Sequence, residues 1–115
     1  MNLFSRQKSE PVPTINVTEL QEMLANGKRP FLLDVRQPEE FRLSHIPGAT
    51  LIPLGQLGRR IKEVPHGDEI VCICASGHRS IPAVRKLMAA GYTAISMKNG
   101  MIAWQLARLP VTRGL

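Results

Sequence analysis

Two stretches of the chain, "FLLDV" (Phe31 to Val35) and "EIVCIC" (Glu69 to Cys74), are apolar with no polar residue alternating through them. Short continuous runs of this kind fit strands buried on both faces of a sheet. Weaker strand signals lie at "INV" (Ile15 to Val17), Thr50 to Ile52 and "AISM" (Ala94 to Met97). The intervals between them carry helical spacing. Thr18 followed by Gln21 has the form of a capping box, Leu20, Met23 and Leu24 share one face, and Asn26-Gly27 closes the segment. Pro38 to Leu43 predicts a short helix with proline at its start, and "HIPGA" a turn after it. Leu54 to Val64 is amphipathic through Leu57 and Ile61, although Gly55 and Gly58 weaken it. Ser80 to Ala90 has Pro82 in its first turn and Gly91 just past its end, and Met101 to Ala107 is the last helical stretch. Strands alternating with helices predict an α/β domain with a mostly parallel central sheet.

The chain's 115 residues suffice for one core, expected over residues 14–115. Residues 1–13, polar with prolines at 11 and 13, are expected to form a mobile tail. "MNLFSRQKSEPVP" has no apolar core of a secretion signal, and no run of about 18 apolar residues predicts a membrane span. The net charge of +6 raises the question of nucleic acid, but the 15 Lys and Arg are scattered and there is one Tyr and one Trp. No nucleic-acid-binding signature accompanies them, so the surplus fits attraction of small anions better. Cys72 and Cys74 are two apart in an expected strand, which separates their Cα atoms by about 6.6 Å and disfavours a disulfide. A reduced, cytoplasmic setting is the default expectation.

Chemistry concentrates where the second apolar run ends. Ligands of parallel α/β sheets bind beyond the carboxyl ends of the strands, and Cys74 occupies such an end, with "ASGHR" leading into a helix. A short loop there can turn its amide N–H groups inward as an anion nest. The helix N-terminus adds roughly half a positive charge. Gly77 tolerates positive φ, and Arg79 brings a permanent charge on a planar donor fork. All three favour a sulfur anion, so Cys74 is the candidate nucleophile. Cys72, inside the strand, reads as core packing. Cys72, Cys74 and His78 supply too few ligands for a metal, and no cofactor is expected.

Three blocks then resemble one family, the rhodanese-like sulfurtransferases: "LLDVRQPEEFRLSHIPGA" (Leu32 to Ala49), "CASGHRS" (Cys74 to Ser80) and "NGMIAWQLARLPV" (Asn99 to Val111). The resemblance covers about residues 14–112 and implies a three-layer fold, a five-stranded sheet with helices on both faces. It further implies that Cys74 takes a sulfane sulfur from a small anionic donor such as thiosulfate, becomes a persulfide, and passes the sulfur to cyanide or a thiol. In that picture the amides of Ala75, Ser76, Gly77, His78 and Arg79 hold the outer sulfur, and Arg79 steers the donor and stabilises departing sulfite. Ser80 is placed to hydrogen-bond the loop or the sulfur, and His78 lies inside the cradle. Asp34 is an organiser behind the site. Arg36 pairs with Glu39 or Glu40 in preference to adding positive field. His45 is a structural hydrogen-bonder, Trp104 packs the last helix, and His66 has no assigned role.

Ala75 departs from the two-domain animal members, which carry a basic residue there, so a persulfide or a protein persulfide partner stands beside thiosulfate as the donor. Two rival readings share the fold. Related phosphatases and arsenate reductases have one residue more than the four that separate Cys74 from Arg79, a wider cradle suited to phosphate. A non-catalytic binding module of the family usually loses the cysteine or the loop's glycine and arginine, whereas Cys74, Gly77 and Arg79 are all kept here.

Overall fold

The computed structural model describes residues 11–115. In chain order the elements are β1 (Thr14–Ile15), α1 (Val17–Ala25), β2 (Phe31–Asp34), α2 (Pro38–Leu43), β3 (Thr50–Leu51) and α3 (Leu54–Leu57). A 3-10 turn (Ile61–Glu63), β4 (Glu69–Ile73), α4 (Ser80–Ala89), β5 (Thr93–Met97) and α5 (Gly100–Leu106) follow. The strands form one sheet in the order β1-β5-β4-β2-β3, and every neighbouring pair is parallel.

Successive residues of a strand point to opposite faces, and here both faces are apolar. Leu32, Val71, Ile73 and Met97 face one way, against Leu20 of α1 and Met101 and Trp104 of α5. Leu33, Val35, Ile70, Cys72, Cys74 and Ala94 face the other way, against Leu57 of α3 and Ala83, Val84 and Leu87 of α4. Three layers result, as the family resemblance implied. Parallel register pairs Asp34 with Ile73, so the carboxyl ends of β2 and β4 lie side by side. That places Asp34 beside the residue preceding Cys74.

Local chemistry sets the boundaries in ways the apolar pattern alone does not. The cap of α1 is Asn16, not Thr18: its side chain accepts from the Glu19 amide at 2.8 Å, and Glu19 accepts from the Asn16 amide at 3.0 Å. Ile15 and Leu20, the residues before the cap and at the fourth helical position, share a core cluster and form a hydrophobic staple. The helix therefore starts at Val17, and β1 is correspondingly shorter than "INV" suggested. The expected helix over 54–64 splits into α3 and the 3-10 turn. Two glycines weaken it, and the Tyr92 hydroxyl lies against the carbonyls of Ile61 (3.0 Å) and Val64 (2.8 Å), which satisfies backbone outside a helix. The expected tail falls outside the described residues up to position 10. Val12 packs on the core, and the Pro13 carbonyl accepts from the Ser96 amide at 2.9 Å.

The corrected cap is testable. Asn16→Ala should destabilise the protein by about 1 kcal/mol, and Thr18→Ala by less than about 0.5 kcal/mol, in urea unfolding curves. Equal losses would restore the Thr18 reading.

Candidate active site

Cys74 follows directly on β4, and the chain from it to Ser80 folds back over the sulfur. The amide of Gly77 donates to Sγ at 3.1 Å and the amide of Ser80 at 3.3 Å. The thiol in turn donates to the Ser80 hydroxyl oxygen at 3.5 Å. Ser80 opens α4, so its amide is one of the helix's unpaired N-terminal donors. Cys74 has no exposed surface, and its Cβ side packs in the apolar cluster beneath α4. The sulfur itself is roofed by polar backbone rather than hydrocarbon. Both donors would strengthen their bonds to a sulfur anion.

A buried hydroxyl pair holds Ser80 in place. Its Oγ lies 2.6 Å from Oγ of Ser96, in β5, and donates to the Gly77 carbonyl at 3.2 Å. Ser96 was not singled out from the sequence. Its signal was there, as the one polar residue in the buried strand "AISM".

The loop rests on the turn between β5 and α5. The second and third amides of α5, Met101 and Ile102, donate to the carbonyls of Cys74 (2.8 Å) and Ala75 (3.0 Å). Asn99 and Gly100 both have positive φ, 63° and 55°. A Cβ on Gly100 would run into the backbone of Cys74 and Ala75. Gly77 has φ +96°, and a Cβ there would come within 2.9 Å of the Asn99 amide nitrogen. Two glycines thus let two backbones meet where side chains have no room.

Charged groups ring the loop in two pairs. Asp34 is fully buried and accepts from Arg36 through Nε (2.9 Å) and Nη2 (2.9 Å), and from the Arg36 amide at 3.1 Å. Arg36 also donates to the Ser44 carbonyl at 2.7 Å, which ties β2 to the end of α2. Arg79 donates both terminal nitrogens to Glu40 of α2, at 2.6 and 2.8 Å, with each side chain about one-third exposed (35% and 33%). The hydrogen bonds from Arg79 hold the Glu40 carboxyl at about 2, well below its ordinary value, and Glu40 in turn raises Arg79. Burial, and secondarily the charge of Cys74, pushes the Cys72 thiol up to about 12.

Several expectations change. Arg36 pairs with Asp34, not with Glu39 or Glu40, because the two sit close on one strand end while Glu40 reaches Arg79. His78 is exposed rather than inside the cradle, with Nδ1 2.9 Å from Oγ of the equally exposed Ser76. Of the loop amides expected to face the sulfur, that of Gly77 reaches Sγ, joined by Ser80 just beyond the expected span. His45 is buried, stacks on Phe41 at 3.6 Å and donates through Nδ1 to the Phe41 carbonyl at 2.8 Å. The Trp104 indole donates to the Pro110 carbonyl at 2.8 Å, and His66 stacks on Tyr92 at 3.9 Å, away from the sulfur.

Comparisons with known proteins converge. The family model of the rhodanese-like domain matches residues 16–107. A protein of Allochromatium vinosum named sulfurtransferase is 34% identical over 101 residues, which cover 87% of this chain and 94% of that protein. YrkF of Bacillus subtilis is 35% identical over 101 residues, 87% of this chain and 55% of YrkF, so the chain spans about half of that relative's length. The crystal structure of a rhodanese-related protein from Thermoplasma volcanium superposes with a TM-score of 0.81 at 29% identity, covering 87% of this chain and 97% of that one.

Two predictions follow from this geometry. Gly67 has φ +94°, nearly that of Gly77, but open space where a Cβ would go. Gly67→Ala should therefore report the backbone term alone, about 1–2 kcal/mol, and Gly77→Ala should lose more, the excess measuring the collision with Asn99. Equal losses in denaturant would show that the loop does not rest on that turn. The second concerns pH. Glu40's depressed carboxyl contributes stability above its ordinary value, and the contribution fades as pH falls towards 2. The stability difference between wild type and Glu40→Gln should stay flat from pH 8 to 6, below about 1 kcal/mol for so exposed a pair, and vanish at the acid end. A difference that grows on acidification would contradict the pairing.

Proposed function

The chain belongs to the rhodanese-like domain family, and from that we propose that it transfers sulfane sulfur through a persulfide on Cys74. The observation that carries this reading is the pair of amide hydrogen bonds converging on Sγ at the end of β4. Cys74 as the thiolate attacks the outer sulfur of the donor. With thiosulfate, the sulfur–sulfur bond to the sulfonate group breaks and sulfite leaves with the electron pair. Cys74 then carries one extra sulfur, and the amides of Ser76, His78 and Arg79 join those of Gly77 and Ser80 around its terminal atom. A thiophilic acceptor, cyanide or a thiolate, attacks that atom, and Cys74 departs as the thiolate it began as. The loop amides stabilise the sulfur anion at both steps. Both steps are displacements at sulfur and need no metal or organic cofactor.

Arg79 is the group in this loop suited to a donor's anionic end, and Ser80, held by Ser96, fixes the amide below it. Asp34 and Arg36 act from behind, as a buried pair bracing β2 and α2. Ala75 gives the loop no second cation, so low-molecular-weight persulfides and persulfides carried on a partner protein are donors on a par with thiosulfate. Cytoplasmic action suits a chemistry that needs reduced thiols. One observation favours a second reading, that of a module which only binds a partner: Cys74 has no exposed surface, and the donor must part the loop to reach it.

Intact-mass spectrometry separates the two. After thiosulfate exposure the protein should gain the mass of one sulfur, lose it to cyanide, gain none as Cys74→Ser, and still gain it as Cys72→Ala. A folded wild-type protein that gains none from thiosulfate or from a persulfide would favour the binding module. Arg79→Ala should lower kcat/KM for thiosulfate by roughly tenfold or more, the worth of a charged hydrogen bond, with a much smaller effect on the melting midpoint.

A further inference from the structure

The arginine of the loop does not stand as an open positive charge. The chain carries a net charge of +6, yet Arg79, the arginine of the loop, is matched by the Glu40 carboxylate in two-point contact, and Arg36 behind it by Asp34. Asp34 cancels Arg36, and Glu40 cancels Arg79. An approaching anion therefore meets, at the one-third-exposed Arg79, a positive charge already matched by a carboxylate. It also finds the end-on fork of Arg79, one hydrogen from each terminal nitrogen, already taken by Glu40, the fork a sulfonate or carboxylate would use.

Glu40 is not placed there by chance contact of two flexible side chains. It is the third residue of α2, and its Oε1 accepts from the Gln37 amide at 2.9 Å, so the start of its own helix aims the carboxylate. Stability does not require the contact with Arg79. A pair one-third exposed contributes little to folding, and α2 is held independently by buried Phe41 and by the bond from Arg36 to Ser44. Glu40 also remains charged at all pH values near neutrality.

We propose that Glu40 determines donor specificity, occupying Arg79 so that donors bearing a sulfonate are handicapped relative to simple alkyl persulfides, which carry no anionic group beyond the sulfur they transfer. This rests on the sulfurtransferase reading above for its substrates. For a sulfonate to reach the fork, the Glu40 carboxylate must swing away, uncovering an anion of its own beside the incoming one. A simple alkyl persulfide makes no demand on the fork, and its transfer is indifferent to Glu40.

The test uses Glu40→Gln, which keeps an oxygen for the Gln37 amide and removes the charge. The KM for thiosulfate should fall on the order of tenfold with kcat little changed, while KM for the persulfide of 2-mercaptoethanol stays within about twofold. Glu40→Asp, which keeps the charge, should leave thiosulfate as poor a donor as in wild type. An unchanged or higher thiosulfate KM in Glu40→Gln, or an equal shift for both donors, overturns the proposal. Calorimetric titration of sulfite into Cys74→Ser, with and without Glu40→Gln, separates this from the parent reading. If wild type accepts no sulfur at all, the sulfurtransferase reading fails, and sulfite affinity still decides on Glu40: a rise of about tenfold upholds its exclusion of anions from Arg79, and no rise refutes it.

Discussion

The molecule is organised around a single sulfur atom held at the end of a buried strand by two backbone amides. Those bonds, from Gly77 and Ser80, need a chain that leaves β4, reverses within six residues and enters α4 with its first amides pointing back. The parallel sheet, with a helix on the face of Cys72 and Cys74, brings strand end and helix start this close. The turn after β5 supplies the floor: α5 spends its second and third amides on the Cys74 and Ala75 carbonyls, and its glycine makes the approach possible. Strand, loop and two helix starts thus position one atom.

How much of this was legible in the sequence differs by level. The apolar runs at 31–35 and 69–74 located the central strands, because burial on both faces leaves no room for polar residues. Cys74, Gly77, Arg79 and Ser80 stood out because a core cysteine has no use for such a turn. What was not legible depended on contacts between distant segments. Arg79 and Glu40 are 39 residues apart, and nothing local to either names the other. Local competition explains a different miss: Asn16 and Thr18 both suit a helix start, and the staple between Ile15 and Leu20 decides for Asn16. The role of Gly100 appears only when its missing Cβ is seen to make way for another backbone.

Charge and hydrogen bonding play separate parts in the site. Backbone amides, which are neutral and fixed, act on the sulfur, whereas side-chain charges cancel in pairs around it. The cysteine two residues earlier shows what the same strand does without such donors: buried in hydrocarbon, Cys72 keeps its proton. Cys74, just past the end of that strand, differs in the two loop amides that donate to its sulfur.

The central claim is that loop amides receive the sulfur carried by Cys74. Amide proton shifts report it directly, because a hydrogen bond to an anionic sulfur moves the donor's resonance downfield. On loading with thiosulfate, the amides of Ser76 to Ser80 should move downfield together and return after cyanide, while those of the distant His66 to Asp68 loop stay fixed. A loaded protein whose loop amides do not move would contradict the account.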